Sequence, residues 1–150
     1  MATGTSTTKR LIWTEPSGYV AVLYPIEEIE NCVKDVPAGL TYYTIEDSEI
    51  PTDTTFGLAW KIVDGKIETD MTRAKEIHRD NIRSVRIGKL AELDIEFQRA
   101  LETSADTSAI VAKKQALRDA PADSAIDAAT DEAGLKAQWN TTILGTSPYI

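Results

Sequence analysis

The sequence predicts an α+β protein: a small N-terminal β-rich domain with hairpins, followed by a long helix and an antiparallel helical arm. Three observations predict it. The stretch Met71–Thr103 has no Pro and a single Gly, Gly88, and is rich in Arg, Lys, Glu, Leu and Ala, which favour helix. Before it, Glu15-Pro16-Ser17-Gly18 and Asp64-Gly65 each separate two apolar runs, which is a hairpin signal with a mechanism. After it, Ser108–Ala120 and an Ala-rich segment again carry helical patterning, interrupted by Pro121.

Residues 1–8 are small and polar, and the sequence predicts a flexible arm there. Residues 9–69 form the predicted α+β domain. Leu11–Trp13 and Tyr19–Tyr24 flank the first turn, where Pro sets φ and Gly accepts a positive φ. Alternation places Tyr19, Ala21 and Leu23 on one side of the second strand and Val20, Val22 and Tyr24 on the other. Pro25 is suited to opening a short helix, Ile26–Lys34, with Glu27, Glu28 and Glu30 near its positive end. Leu40–Ile45 is aromatic and β-branched and reads as a third strand. Asp47–Asp53 reads as a loop, and Thr54–Trp60 as one helical turn presenting Phe56, Leu58 and Trp60. Lys61–Glu68 reads as a tight hairpin with a type I′ turn at Asp64-Gly65. A domain this small is near the lower limit for a self-sufficient core, so it is expected to lean on the long helix or on a second chain.

Residues 70–139 form the predicted helical arm. Asp70 suits an N-cap, and Ala74, Ile77, Ile82, Val85, Leu90, Leu93, Phe97, Ala100 and Leu101 recur at the spacing of one buried stripe. A helix of this length runs roughly 50 Å, against about 30 Å for the width of a domain of this size, so it is expected to protrude or to pair. The short break at Thr103–Thr107 predicts that the next helix, Ser108–Ala120, folds back antiparallel. Pro121–Gln138 is read as a third helix with a weak point at Gly134, closed by Trp139. Residues 140–150 are read as an extended tail whose Ile143, Leu144, Tyr149 and Ile150 dock onto something.

Composition narrows the function classes. The net charge of −8 argues against general nucleic-acid binding. Residues 1–69 carry 5 basic and 11 acidic side chains, so the front domain holds most of the negative charge. One Cys and one His cannot build a zinc site of ordinary spacing or an internal disulfide. No apolar run approaches the length of a membrane span. The polar start lacks the apolar core of a signal peptide, which predicts a cytoplasmic protein or one packed into a particle assembled in a cytoplasm.

Individual residues give no catalytic constellation. His78 lacks a nucleophile or acid partner in its pattern, and a structural or solvent-side role is expected. Cys32 has Glu28, Glu30 and Asp35 nearby, which oppose a thiolate; it reads as a buried inert thiol, or as one half of an intermolecular disulfide. Asp47, Glu49, Asp53 and Asp64 all sit at turns and read as turn formers. Arg73, Lys75, Arg79, Arg83, Arg86 and Lys89 make the first half of the long helix basic. Glu76 and Asp80 interleave, so a solvated face or a contact with an acidic partner protein is expected; a nucleic-acid-binding or regulatory module on the Arg73–Lys89 face is the alternative. No metal, cofactor or catalytic residue is expected. The candidate anchors of a protein interface are Trp13, Tyr19, Trp60, Phe97, Trp139 and Tyr149, large side chains that also serve as core.

The segments PSGYVAVLYP, DSEIPTDTTFGLAW, DMTRAKEIHRDNIR, LAELDIEFQRALE and KKQALRDAPADSAIDAA…LKAQW resemble small proteins of tailed bacteriophages, encoded beside tail-fibre genes and similar to tail-fibre assembly proteins. The Lys114–Asp119 run followed by Trp139 is similar to the helix-then-Trp ending of those chaperones. The resemblance spans Gly18–Trp139 and is carried by structural motifs. It implies a non-enzymatic tail protein that binds a tail fibre, at its tip or attachment region, or a baseplate protein, in the host cytoplasm during assembly or in the virion tail; the helical arm, Met71–Trp139, is expected to supply a second contact or self-association. Proteins of this kind tend to stop soon after the Trp, whereas this chain continues through Asn140–Ile150, which favours a docked structural part over a purely transient one.

Overall fold

The computed structural model describes residues 7–149. The fold is α+β, with the strands before Asp70 and the long helices after it. The chain divides into two compact units, Met1–Asp70 and Met71–Ile150.

In the first unit, β1 (Lys9–Thr14), β2 (Val20–Leu23) and β3 (Tyr42–Glu46) form an antiparallel sheet in the order β2-β1-β3. The first turn closes as its sequence predicts: the Gly18 amide donates to the Glu15 carbonyl at 2.8 Å, and Gly18 takes φ 91°. Central β1 has apolar partners on both faces, because Leu11 and Trp13 point one way and Ile12 the other. Leu11, Trp13 and Cys32 are buried together, with Ala21, Leu23, Ile29 and Val33 packed on them. Ile12, Ile45, Trp60 and Ile67 are buried together on the opposite face, with Val20 and Val22. The expected alternation of the second strand therefore holds.

Two local elements supply these covers. α1 (Ile29–Cys32), continued by a 3₁₀ turn at Val33–Asp35, brings Ile29, Cys32 and Val33 to the first face. It is shorter than the expected Ile26–Lys34: Ile26 is 97% exposed, so no burial offsets the ordering of residues 25–28. The hairpin β4 (Trp60–Val63) and β5 (Lys66–Thr69) brings Trp60 and Ile67 to the second face. Its turn has φ 50° at Asp64 and 76° at Gly65, the paired positive angles of a type I′ turn. A Cβ on Gly65 would lie 3.1 Å from the Tyr43 ring, so glycine serves both the angle and the close approach.

Three local expectations are corrected. The loop after β3 contains a 3₁₀ turn, Asp47–Glu49, held by a capping box between Glu46 and Glu49. The turn expected at Thr54–Trp60 narrows to Gly57–Ala59; Phe56 is buried, Trp60 opens β4, and Leu58 is 61% exposed. The flexible arm expected at 1–8 falls mostly outside the described residues, but Thr7 and Thr8 are tied down. Lys9 N–H donates to Thr7 Oγ1, and the Thr8 carbonyl accepts from the Asp47 amide at 2.6 Å.

The second unit is built on α2 (Met71–Glu102), which begins one residue after Asp70. α3 (Ser108–Asp119) packs on it antiparallel: Lys114 meets Asp94, and Arg86 reaches the Arg118 carbonyl. The third helix expected over Pro121–Gln138 is instead a 3₁₀ turn at Ala120–Ala122, then α4 (Ser124–Ala128) and α5 (Glu132–Lys136). The break has a physical cause. Asp123 accepts from the Ala125 amide and Asp131 from the Gly134 amide, so each starts a new helix, and Ala129 turns to an extended backbone between them. Gly134 is thus a fitted position: a Cβ there would lie 2.9 Å from Asp131 Oδ1.

The extended tail expected at 140–150 is corrected as well. Asn140 caps α6 (Thr141–Leu144), and Leu144 is buried. α6 lies against α2 and α3, so Ile143 and Leu144 dock onto the protein's own helices; Ile150 lies outside the described residues.

Candidate partner-binding surface

The structure separates the six expected anchors into core and surface. In the first unit, Trp13 and Trp60 are both buried, 7% exposed, and are core. Trp13 Nε1–H donates to Glu15 at 2.8 Å, whereas Trp60 Nε1–H is buried with no hydrogen-bond partner among the described residues. Tyr19 is exposed and lies on the same sheet face as Trp13. Register adds Tyr42, directly opposite Trp13 on β3 and also exposed. On the other face Tyr24 is exposed, with the Arg10 guanidinium 4.7 Å from its ring centre. Cys32 is 2% exposed, so the intermolecular disulfide admitted by its odd number requires this sheet face to open first; the thiol is part of the core.

In the second unit, Trp139 and Tyr149 belong to a closed cluster around His78, which is fully buried. His78 therefore faces the core, one position round the helix from the expected stripe residue Ile77, and the solvent-side alternative is overturned. The Tyr149 hydroxyl lies 2.6 Å from His78 Nδ1 and the Gln138 carbonyl 3.4 Å from Nε2. A carbonyl only accepts, so the neutral ring places its proton on Nε2 and receives the tyrosine hydrogen at Nδ1. Asn81 Nδ2 in turn donates to the Tyr149 hydroxyl at 3.3 Å. The Trp139 ring meets both His78 and Tyr149 edge-on, and its indole N–H donates to the Gly145 carbonyl at 3.0 Å. Burial lowers the His78 pKa, against a smaller upward pull from the Gln138 carbonyl, and raises that of Tyr149. Both groups are held neutral. This geometry clamps the C-terminal segment to α2; it does not present a reactive group to solvent.

Phe97 is half-buried beneath the Lys114 ammonium, 5.3 Å from its ring centre. The large exposed apolar side chains among the described residues of this unit are Ile87, Ile95, Leu101 and Val111. The signal for the first two was in the sequence, as a second apolar series stepping by four through Ala91. Asn81 and Gln138 gave no such signal, since polar partners of a buried ring follow no periodicity.

The basic run of α2 is largely engaged within the unit. Arg79 pairs with Asp127 and with Glu76, and its Nε donates to the Pro121 carbonyl. Arg83 pairs with Asp80 at 2.6 Å and Glu76 at 3.4 Å. Lys75 and Arg86 donate to the carbonyls of Asp127 and Arg118. Lys75, Arg79 and Arg86 fasten the later helices to α2 and Arg83 is paired within α2 itself, an arrangement that engages these cations inside the unit rather than in a phosphate-binding row. Among the described residues, no group of three or more His, Cys, Asp and Glu is placed to hold a metal ion. No helix among them is long and apolar enough to cross a membrane. No protein-family model matches the chain, and neither a curated protein nor a solved structure matches it.

Proposed function

We propose that this chain is a non-enzymatic bacteriophage tail protein that binds a tail-fibre or baseplate protein, acting in fibre assembly or remaining as a fibre-associated part of the virion. The resemblance of residues 18–139 to tail-fibre assembly proteins supports this reading, and one surface feature carries it. The first unit exposes Tyr19, Tyr24, Tyr42 and Tyr43 around a small sheet whose own core is already filled. Tyrosine offers a large, stiff contact area with a polar tip, and such residues anchor protein interfaces. The mechanism is burial of apolar surface that a fibre exposes before it trimerises, or at its joint to the tail. The same chemistry serves in the host cytoplasm during assembly and in the finished tail.

Co-expression with the product of the neighbouring fibre gene, followed by size exclusion, tests the reading: a co-eluting complex is expected, and separate elution rejects it. Mass spectrometry of purified virions then separates the two versions. Stoichiometric presence marks a structural part, and absence marks a chaperone. A Tyr19→Ala, Tyr42→Ala double variant is expected to weaken the complex by about tenfold or more with folding intact.

A further inference from the structure

β3 is an outer strand of the sheet, whose order is β2-β1-β3. Along an antiparallel strand, residues that bond to the neighbour alternate with residues whose N–H and C=O point away from it. Two bonds fix which is which. The Asp47 amide donates to the Thr8 carbonyl at 2.6 Å, so Asp47 faces β1, and with it Ile45 and Tyr43. The Glu46 amide donates away from β1, to Glu49 Oε2 at 2.8 Å. By the same alternation the N–H and C=O of Thr44 and Tyr42 point outward, and nothing among the described residues bonds to them. Both residues are exposed.

Edge strands are ordinarily blunted by Lys, by Pro, by a bulge or by a covering element. β3 reads Tyr-Tyr-Thr-Ile-Glu, without Lys or Pro, and its pairing with β1 runs unbroken from Glu46 to Tyr42. The other edge of the sheet differs. On β2 the bond from the Glu15 amide to the Tyr19 carbonyl sets the alternation, and the outward groups belong to Val20 and Val22. Those two residues are partly buried against the Ile12 cluster.

We propose that the free edge of β3 receives an extended segment of the partner protein as a fourth strand. This rests on the fibre-binding reading above and specifies its contact. The main-chain groups select the form of the occupant. Tyr42 and Thr44 offer two N–H and two C=O groups about 7 Å apart along one line. An extended backbone matches that pattern, whereas a helix has already used its own main-chain groups. Side chains of the added strand alternate between the two sheet faces, one lying beside Tyr42 on the Trp13 face and the next beside Tyr43 on the Ile12 face. Both rings have area left to cover, being 41% and 39% exposed. Charge selects the composition of the occupant. Residues 1–69 carry 5 basic and 11 acidic side chains, so a second copy paired at this edge sets two acidic units together. A neutral or basic segment of another protein meets no such repulsion.

The full chain and the product of the neighbouring fibre gene, co-expressed, provide the test. Residue-resolved amide hydrogen exchange is expected to show Tyr42 and Thr44 exchanging freely in the isolated chain and slowing by about tenfold or more in the complex. Tyr43 and Ile45, bonded to β1, are expected to be slow in both. Thr44→Pro removes an outward donor and puts a ring in its place, at no cost in bonds to β1, and Pro is tolerated at such edge positions. It is expected to weaken the complex by about tenfold or more, with circular dichroism unchanged. A complex in which the Tyr42 and Thr44 amides exchange as they do in the isolated chain overturns strand addition and leaves fibre binding standing, as does a folded Thr44→Pro variant that binds like the wild type. Absence of any complex rejects both. Slowing of these two amides with rising concentration of the isolated chain marks a second copy as the occupant and overturns the proposal too.

Discussion

The two units close their cores in different ways. The first fills both faces of a three-stranded sheet with aliphatic and aromatic side chains, from α1 on one face and from the β4–β5 hairpin on the other. The second also buries aliphatic side chains, Ile82, Ile126, Leu135 and Leu144 among them, and adds polar contacts across long stretches of chain, His78 to Tyr149 and Asn81 to Tyr149 foremost. An apolar core of the first kind is sensitive to lost volume and to any polar group left unpaired inside it. A buried ring with both nitrogens engaged makes the second sensitive to protonation and to single hydroxyls.

The largest expected effect breaks the first core. Ile12→Ala removes a fully buried side chain from the central strand and is expected to cost about 2–5 kcal/mol in chemical denaturation. Next comes acid. Because burial lowers the folded-state pKa of His78, the unfolded chain binds the proton more readily once pH drops below the ordinary histidine value of about 6.5. Stability is therefore full above that pH and declines below it until the folded-state pKa is passed. The slope from this one group cannot exceed about 1.4 kcal/mol per pH unit. Denaturation midpoints measured from neutral to mildly acid pH check this, and His78→Gln is expected to flatten the dependence.

Tyr149→Phe is smaller. It deletes the hydrogen donated to Nδ1 and the acceptor for Asn81, and is expected to cost about 1–2 kcal/mol, with hydrogen exchange rising first in α6. The smallest is Arg83→Gln. Its ion pairs with Asp80 and Glu76 are exposed, so thermal denaturation is expected to show a change within about 0.5 kcal/mol.

Legibility in the sequence follows the same division. The two hairpins, the alternation of β2 and the extent of α2 were readable because turn geometry and periodicity are local. The break between α4 and α5 was not, because Ala-rich residues favour helix on either side and the decision rests on where two aspartates cap. The folding back of residues 140–149 was unreadable for another reason: their partners lie in α2 and α3, far back along the chain. The candidate surface divided likewise. Size nominated the tryptophans together with Tyr19, Phe97 and Tyr149, yet all three tryptophans are core; exposure, which a list of large residues does not carry, keeps Tyr19 and adds Tyr24, Tyr42 and Tyr43.

The protein contains a single histidine, and its ring sits where the C-terminal segment is fastened. Its imidazole resonances are therefore free of overlap from any other histidine. One nuclear magnetic resonance signal can report tautomer, protonation and release of that segment together, with no label introduced into the chain.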